Sequence, residues 1–296
     1  MQYPHPITNL IERRFSCRTY RDEPLKDGRR HELEAYLAAL QRGPFGTSLR
    51  FKLVAASRED SEALRGLATY GFIKNAPGFI LGAVPVEGRM NLEDFGYAME
   101  DAILFATALG LGTCWLGGTF RKSAFAARLT MGDDEVMPCV TSVGRPAGRR
   151  SLVDRLIRPT VGAKHRLPWS ALFFDGRFGA PLRPEAAGPF AEPLEMVRLG
   201  PSASNKQPWR VVRDGPAWHF YLERTPGYGR GIGSYFVTAD LQRVDMGIAL
   251  CHFGLTAREV GLNGRWLVDE PALSRPGDLT EYTATWLAEG AAAAAS

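Results

Sequence analysis

Residues 94–115 of the chain read DFGYAMEDAILFATALGLGTCW, and residues 245–266 read DMGIALCHFGLTAREVGLNGRW. Both stretches begin with Asp-x-Gly-x-Ala, and both carry Gly-Leu and then Trp at the same offsets. Matches that recur in one order indicate an internal repeat. Each stretch is apolar on most sides, so each predicts a helix that needs a partner. We predict that the two helices pack together across a pseudo-twofold axis.

The residues ahead of the two helices also correspond, because Gly-Pro at residues 43–44 matches Gly-Pro at residues 200–201. Residues 175–193 are rich in glycine and proline and lack periodicity, which is typical of a linker. We therefore predict a first half over residues 1–176 and a second half over residues 177–290. The two halves are expected to pack as one compact unit.

Periodicity and turn residues predict the remaining elements of secondary structure. The predicted helices cover residues 7–14, 31–41, 61–67, 91–109, 194–199 and 245–260. The predicted strands cover residues 51–56, 79–84, 137–143, 209–212 and 218–222.

The composition argues against several classes of function. The chain has 296 residues, 45% of them hydrophobic, and a formal net charge of +4 with arginines spread along its length. This pattern does not favour nucleic-acid binding. Neither a leader segment nor an apolar run long enough for a membrane span is visible, so we expect a cytoplasmic protein. The four cysteines form no Cys-x-x-Cys pair and no zinc-like cluster, so we expect reduced thiols and no metal.

A candidate anion clamp lies near the N-terminus, where residues 14–18 read Arg-Phe-Ser-Cys-Arg. Arginine matches phosphate oxygens two at a time, and a serine hydroxyl adds a further donor. Lys-His-Arg-Leu-Pro at residues 164–168 offers more cations. A single motif of this kind is common by chance, and most arginines merely face solvent, so the clamp gains meaning only from its companions.

A polar turn precedes the first predicted strand of the second half, where residues 200–209 read Gly-Pro-Ser-Ala-Ser-Asn-Lys-Gln-Pro-Trp. Its side chains offer both hydrogen-bond donors and acceptors. The equivalent residues 45–49 of the first half read Phe-Gly-Thr-Ser-Leu and contain neither asparagine nor glutamine. The two halves therefore differ at the turn whose side chains would form hydrogen bonds with a polar ligand.

Taken in order over residues 6–285, these motifs resemble the nitroreductase family of FMN-dependent oxidoreductases. They resemble in particular its Thermotoga-type members, in which one chain carries two fused halves. Asn-Ala-Pro at residues 75–77 and Gly-Leu-Gly-x-Cys-Trp-x-Gly at residues 110–117 belong to the same resemblance. The resemblance implies an α+β fold, a three-layer sandwich with central buried helices, in which a monomer acts as a pseudo-dimer.

The resemblance also implies which residues bind FMN. The clamp and the second cationic cluster would hold the phosphate, the glycine loop would lie beside the flavin ring, and the polar turn would come from the other half. The implied residues are Arg14, Ser16, Arg18, Leu116, Gly117, Gly118, Lys164, Arg166, Pro201, Ser202, Ser204, Asn205 and Gln207. The glycine pair would let a backbone amide approach flavin N5. The flavin carries the chemistry, so no protein residue is assigned as catalytic.

The roles of two of these residues, Arg18 and Asn205, stay open. The expected number of FMN sites follows from the motifs that the second half lacks. Arg18 either stabilises negative charge near flavin N1 and the C2 carbonyl, or contacts the phosphate, or forms a surface ion pair. Asn205 either reads the edge of the ring or holds its own turn. The second half has no clamp ahead of Leu194 and no Lys-x-Arg near its end, so we expect one FMN per chain.

The implied activity is a ping-pong reduction of an electron-poor small molecule, such as a nitroaromatic or a quinone, with NADH or NADPH as the donor. Two alternatives stay open: a flavin-binding protein without turnover that acts as sensor, store or carrier, and a specialised flavin enzyme on the same fold. Residues 228–236, rich in glycine and tyrosine, predict either a mobile lid or a plain surface loop. His252, inside an apolar helical run, is predicted to be a satisfied core histidine.

Overall fold

Two sheets with a pair of long helices between them organise the computed structural model of the chain, which describes residues 3–55, 73–117, 122–148, 165–228 and 239–290. The helices are α1 (Ile7–Arg13), α2 (Asp27–Ala39), α3 (Asn91–Ala108), α4 (Lys122–Leu129), α5 (Trp169–Leu172), α6 (Ala191–Leu199) and α7 (Leu241–Glu259), with 3₁₀ turns at Pro184–Phe190 and Ala203–Asn205. The strands are β1 (Arg50–Ala55), β2 (Gly78–Pro85), β3 (Gly112–Leu116), β4 (Glu135–Val136), β5 (Val140–Gly144), β6 (Phe173–Asp175), β7 (Trp209–Asp214), β8 (Ala217–Glu223), β9 (Gly264–Leu267) and β10 (Thr280–Ala288).

Each sheet is built from one part of the chain and packs on one of the two long helices. The first sheet has the order β1–β2–β5–β3, with β4 paired to β2, and its pairings are antiparallel. The second has the order β6–β7–β8–β10–β9, and only β6 and β7 are parallel. Helix α3 shares its apolar core with the first sheet, α7 shares its core with the second, and the two helices contact each other. The predicted α+β three-layer sandwich with central buried helices is confirmed.

The two central helices approach each other at their glycines. A Cβ built on Gly96 would lie 2.2 Å from the carbonyl oxygen of Val244, and a Cβ built on Gly247 would lie 2.2 Å from that of Glu93. Only glycine lets two backbones come this close. The two contacts correspond residue by residue under the sequence repeat, as a pseudo-twofold axis requires. The internal duplication itself stays a prediction, and these contacts favour it.

Each central helix carries in its first turns an aspartate that holds the preceding turn of the chain. Asp94 accepts hydrogen bonds from the N–H groups of Phe45 and Thr47, both over 2.9 Å. Asp245 accepts one from the N–H of Ala203, also over 2.9 Å. The polar turn that contains Ala203 is therefore fixed to the beginning of α7.

Most predicted elements are confirmed, with shifts of a few residues at their ends. Helix α2 begins at Asp27 rather than at residue 31. The prediction has no counterpart for the strands β3, β6, β9 and β10 or for the helices α4 and α5. The predicted linker contains the 3₁₀ turn Pro184–Phe190 and the first residues of α6, so it is more ordered than expected. The predicted helix over residues 61–67 lies outside the described residues.

Within the described residues, no group of three or more His, Cys, Asp and Glu side chains could hold a metal ion. No helix in them is both long enough and apolar enough to cross a membrane.

Candidate functional site

The clamp of residues 14–18 runs beside the first residues of β3. Ser16 forms a parallel bridge with Thr113, and the N–H of Cys17 donates to the carbonyl oxygen of Thr113 over 2.7 Å. Strand β3 then ends at Leu116, directly before the glycine loop. One pairing therefore sets the clamp beside the strand that leads into that loop.

Arg14 is buried against a carboxylate of the central helix α3. Its side chain is 7% exposed, and its Nε lies 3.4 Å from Oε1 of Glu100, which is wholly buried. The indole N–H of Trp115 donates to Oε2 of Glu100 over 2.8 Å, and Nε2 of His252 lies 3.0 Å from Oε1. Burial favours the neutral acid, but the hydrogen bond from His252 and the charge of Arg14 outweigh it and hold the pKa of Glu100 below its ordinary value. Arg14 is thus paired with a carboxylate that stays ionised.

Arg166 reaches the same region from later in the chain. Its guanidinium donates to Oδ1 of Asn205 over 3.2 Å and to the carbonyl oxygen of Leu199 over 3.0 Å. Burial, followed by the positive charges of Arg14 and Arg198, lowers the pKa of Arg166. Arg14 and Arg166 are therefore held within electrostatic reach of each other, although like charges repel and burial costs each of them hydration.

The polar turn has an unusual backbone conformation. Ser204, Asn205 and Gln207 all have positive φ angles, between 51° and 54°. The left-handed region is unfavourable for residues other than glycine, and such residues cluster at ligand sites. The side chains hold the turn to its neighbour: Oε1 of Gln207 accepts from the N–H of Leu167 over 2.8 Å, and Nδ2 of Asn205 donates to the carbonyl oxygen of His165 over 3.0 Å.

These bonds give Asn205 and Gln207 structural tasks. Gln207 is only 2% exposed, and its amide nitrogen donates to the carbonyl oxygen of Asn205 over 3.2 Å. Its own N–H donates to the hydroxyl of Ser202 over 2.8 Å. Oδ1 of Asn205 also accepts a hydrogen bond from Arg166. The turn therefore orients Arg166, one of the residues predicted to bind the phosphate. The side chain of Asn205 therefore ties the turn to residues 165 and 166, and both alternatives for Asn205 stay open.

The remaining predicted residues surround this group or lie beyond the described ranges. Gly117 packs against α7, since a Cβ built on it would lie 2.7 Å from Cδ1 of Leu241. Leu116 is buried, Ser204 is exposed, and Ser16, Arg18, Pro201 and Ser202 are half-buried. Gly118 and Lys164 lie outside the described residues, as do residues 229–236 of the predicted lid.

The donor set fits the phosphate of FMN. Arg14 supplies a buried guanidinium and Arg166 a half-buried one, and Ser16 supplies a hydroxyl beside Arg14 on the clamp. The Nε of Arg14 makes an ion pair with Glu100 but no hydrogen bond within the described part of the chain. A dianion between the two arginines would relieve their repulsion and accept charge-assisted hydrogen bonds.

The motifs do not reveal Glu100, although an acidic residue within an apolar helix signals a paired charge. His252 confirms the prediction of a satisfied core histidine, because it is wholly buried and its Nδ1 lies 2.8 Å from the carbonyl oxygen of Met196. No sequence pattern links Glu100 to His252, since the two residues lie on different helices that meet only in the fold.

Comparison with solved structures shows the same fold. A structure described as a "putative nitroreductase" from Thermotoga maritima has a TM-score of 0.58 and 22% identity, with 97% of this chain and 95% of that chain covered. A "Putative NADH Oxidase" from Clostridium acetobutylicum has 23% identity and a TM-score of 0.38, with 48% of this chain and 89% of that chain covered. A "Nitroreductase with bound FMN" from Desulfitobacterium hafniense has 18% identity and a TM-score of 0.41, with 49% and 92% covered. The last two likenesses are too distant to carry an argument.

Comparison with families of sequences gives a match over most of the chain. A comparison with curated proteins gives none. The profile of the family described as "Putative TM nitroreductase" matches residues 6–257. Since this match spans well over half of the sequence, the chain belongs to this nitroreductase family.

Proposed function

We propose that the chain is an FMN-dependent oxidoreductase that uses NADH or NADPH, in ping-pong order, to reduce an electron-poor small molecule such as a nitroaromatic or a quinone. The observation that carries the proposal is the convergence of Arg14, whose side chain is buried, and the half-buried Arg166 beside the polar turn. Two guanidiniums within electrostatic reach of each other suit a dianionic ligand. Because the chain belongs to a nitroreductase family, we infer that this dianion is the phosphate of FMN.

The residues of the chain would bind and orient the cofactor. Arg14 and Arg166 offer planar donors that match phosphate oxygens two at a time, and Ser16 and Lys164 would add single donors. The backbone at Gly117 and Gly118 would lie beside the ring, and Arg18 would stabilise negative charge near its N1 edge. When bound, FMN supplies the hydride transfer, so the protein needs no acid, base or nucleophile of its own.

The pseudo-symmetric counterpart of this region, which also contains residues of both halves, supports a single site per chain. The offset that pairs Gly96 with Gly247 also pairs Glu100 with Cys251 and His252 with Asp101. Where Glu100 meets Arg14, His252 and an indole N–H, Asp101 is a half-buried acid whose pKa is raised by burial.

The neighbours of Asp101 fill that counterpart with phenols. The hydroxyl of Tyr36 donates to Oδ1 of Asp101 over 2.5 Å, and the hydroxyl of Tyr3 donates to the same oxygen. Arg258 lies close by, but its guanidinium donates to the hydroxyl of Tyr97 over 2.8 Å. A phosphate at this place would face a carboxylate and would have to displace aromatic side chains, which supports one composite FMN site.

The proposed activity has a direct test. The protein is saturated with FMN, freed of oxygen and mixed with NADH or NADPH while the flavin absorbance is followed. We expect the yellow colour to bleach with at least one donor and to return when a quinone is added. Flavin that stays oxidised with both donors would contradict the reductase proposal and leave a flavin-binding protein without turnover.

We also propose that the protein works in the cytoplasm as a monomer. One chain supplies the clamp, Arg166 and the polar turn, so the proposed site needs no second subunit. Sedimentation velocity of the FMN-loaded protein measures how many chains form one particle, and we expect one. A dimer that dissociates into chains unable to hold FMN would contradict the proposal.

A further inference from the structure

The trio formed by Arg14, Glu100 and His252 links the clamp to the contact between the central helices. We propose that Glu100 is a positioning residue for the phosphate clamp and that His252 supports it as a doubly protonated imidazolium. The proposal rests on the proposed function only for the identity of the anion that the clamp receives.

The protons on His252 follow from its two neighbours. Its Nδ1 lies 2.8 Å from the carbonyl oxygen of Met196, and a carbonyl oxygen can only accept a hydrogen bond. Its Nε2 lies 3.0 Å from Oε1 of Glu100, which accepts as long as it is a carboxylate. The indole N–H of Trp115 and the guanidinium of Arg14 both favour the carboxylate form. Both ring nitrogens of His252 must therefore carry a proton.

The charges of the trio then leave a surplus at the clamp. Arg14 and His252 each carry one positive charge and Glu100 one negative charge, so the trio is positive by one charge. Water cannot offset this charge at the pair, because the side chains of Glu100 and His252 are wholly buried. Among the described titratable groups near the trio, Arg166 is a further cation, and Cys251 is a neutral thiol because burial raises its pKa well above the ordinary value. The uncompensated charge therefore lies at Arg14, where an anion would offset it.

The same bonds fix the direction of Arg14. Oε1 of Glu100 faces both Arg14 and His252, and Oε2 is held by the indole of Trp115. Glu100 lies on α3 and His252 on α7, so the carboxylate is gripped from both central helices. The orientation of the clamp is thereby set at the contact between the two halves.

The protons on His252 are measured without any flavin. Protein labelled with ¹⁵N-histidine is examined by NMR near neutral pH, in a background where the exposed His5, His31 and His165 are replaced by glutamine. His252 is then distinguished from His219 by a further His219→Gln variant. We expect a directly bonded proton on both ring nitrogens of His252, and a ring nitrogen without a proton would overturn the proposal.

A variant of Glu100 tests the coupling within the trio. In Glu100→Gln the side-chain amide can donate to Nε2 of His252, so we expect that nitrogen to lose its proton. A His252 that stays doubly protonated in this variant would show that Glu100 does not hold the proton. Glu34→Gln, which breaks the exposed ion pair with Arg30, is the matched control and should leave the His252 spectrum unchanged.

The positioning role is measured by flavin affinity. FMN and riboflavin share the ring, but riboflavin lacks the phosphate that the clamp would hold. We expect Glu100→Gln to weaken FMN roughly tenfold or more, as loss of a charge-assisted contact does, and to leave riboflavin within about twofold. Equal losses for both ligands would contradict a role through the clamp.

The failure of this inference can be told from the failure of the proposed function. If the unaltered protein binds neither flavin, the FMN proposal fails, whereas the state of the protons on His252 is still decided by NMR. If the unaltered protein binds FMN tightly and Glu100→Gln binds it equally well, the proposed function stands and the positioning role is wrong.

Discussion

Gly96 and Gly247 are in backbone contact across the two central helices: a Cβ built on Gly247 would lie 2.8 Å from the Cα of Gly96. Glu100 and His252 lie about one turn further along their helices, and their hydrogen bond crosses the same contact. A side chain at either glycine would therefore push apart the helices that carry the support of the clamp.

Substitution of either glycine tests this contact. We expect Gly96→Ala or Gly247→Ala to lower the free energy of unfolding by about 3 kcal/mol or more, because backbone oxygens at 2.2 Å cannot move aside without shifting a helix. Urea unfolding measures the change. Gly28→Ala is the matched control, since nothing lies within 4 Å of a Cβ there and alanine suits the helix α2. A Gly96→Ala protein as stable as the control would contradict the close packing.

Replacement of Arg14 and Arg166 tests the phosphate site. We expect the double variant Arg14→Gln and Arg166→Gln to lose bound FMN, because both charge-assisted donors to the phosphate disappear. The ratio of flavin to protein absorbance after gel filtration is the measurement. Arg265→Gln, which removes an exposed arginine paired with Glu289, is the control and should keep its flavin. Full flavin content in the double variant would mean that the phosphate binds elsewhere.

Asp245 gives a prediction about pH. Its side chain is buried, Oδ2 has no hydrogen-bond partner among the described residues, and burial raises its pKa well above the ordinary aspartate value of 3.8. The folded state therefore holds this proton more tightly than the unfolded state does. Its contribution to stability is fully present below the unfolded pKa and is lost as the pH rises through the folded pKa.

The comparison of Asp245 with asparagine isolates that contribution. Asparagine keeps an oxygen for the N–H of Ala203 but cannot ionise. We expect Asp245→Asn to gain stability relative to the unaltered protein as the pH rises from about 4 to about 8, as measured by urea unfolding at each pH. A difference between the two proteins that does not change with pH would show that Asp245 ionises normally.

The sequence predicts the central helices well because their information is local. Apolar periodicity and closing glycines define α3 and α7, and the repeat of Gly96 at Gly247 predicts their contact. Helix α2 begins earlier than predicted, since its first turn carries Gly28 and charged residues without an apolar face. The strands β9 and β10 lie at the end of the chain and are separated by a long irregular segment, so no short turn signals their pairing.

The candidate site could be predicted only in part. The cationic motif around Arg14 and the polar motif around Asn205 are each a short continuous stretch of sequence, so each can be recognised locally. The structure brings Arg166 into contact with the polar turn. The buried link between Glu100 and His252 depends on how two helices are rotated against each other, which no local pattern encodes. Only the fold likewise shows that the side-chain amide of Gln207 bonds to the backbone of Leu167 and of Asn205.

The amount of FMN bound per chain tests the composite site most directly. The protein is saturated with FMN, separated from free ligand, weighed and denatured, and the released FMN is counted against the chains. The clamp at one composite site, and Asp101 with its tyrosines at the pseudo-symmetric counterpart, predict a ratio near one. A ratio near two would show that the second half also binds FMN, and a ratio near zero would contradict the flavin site itself.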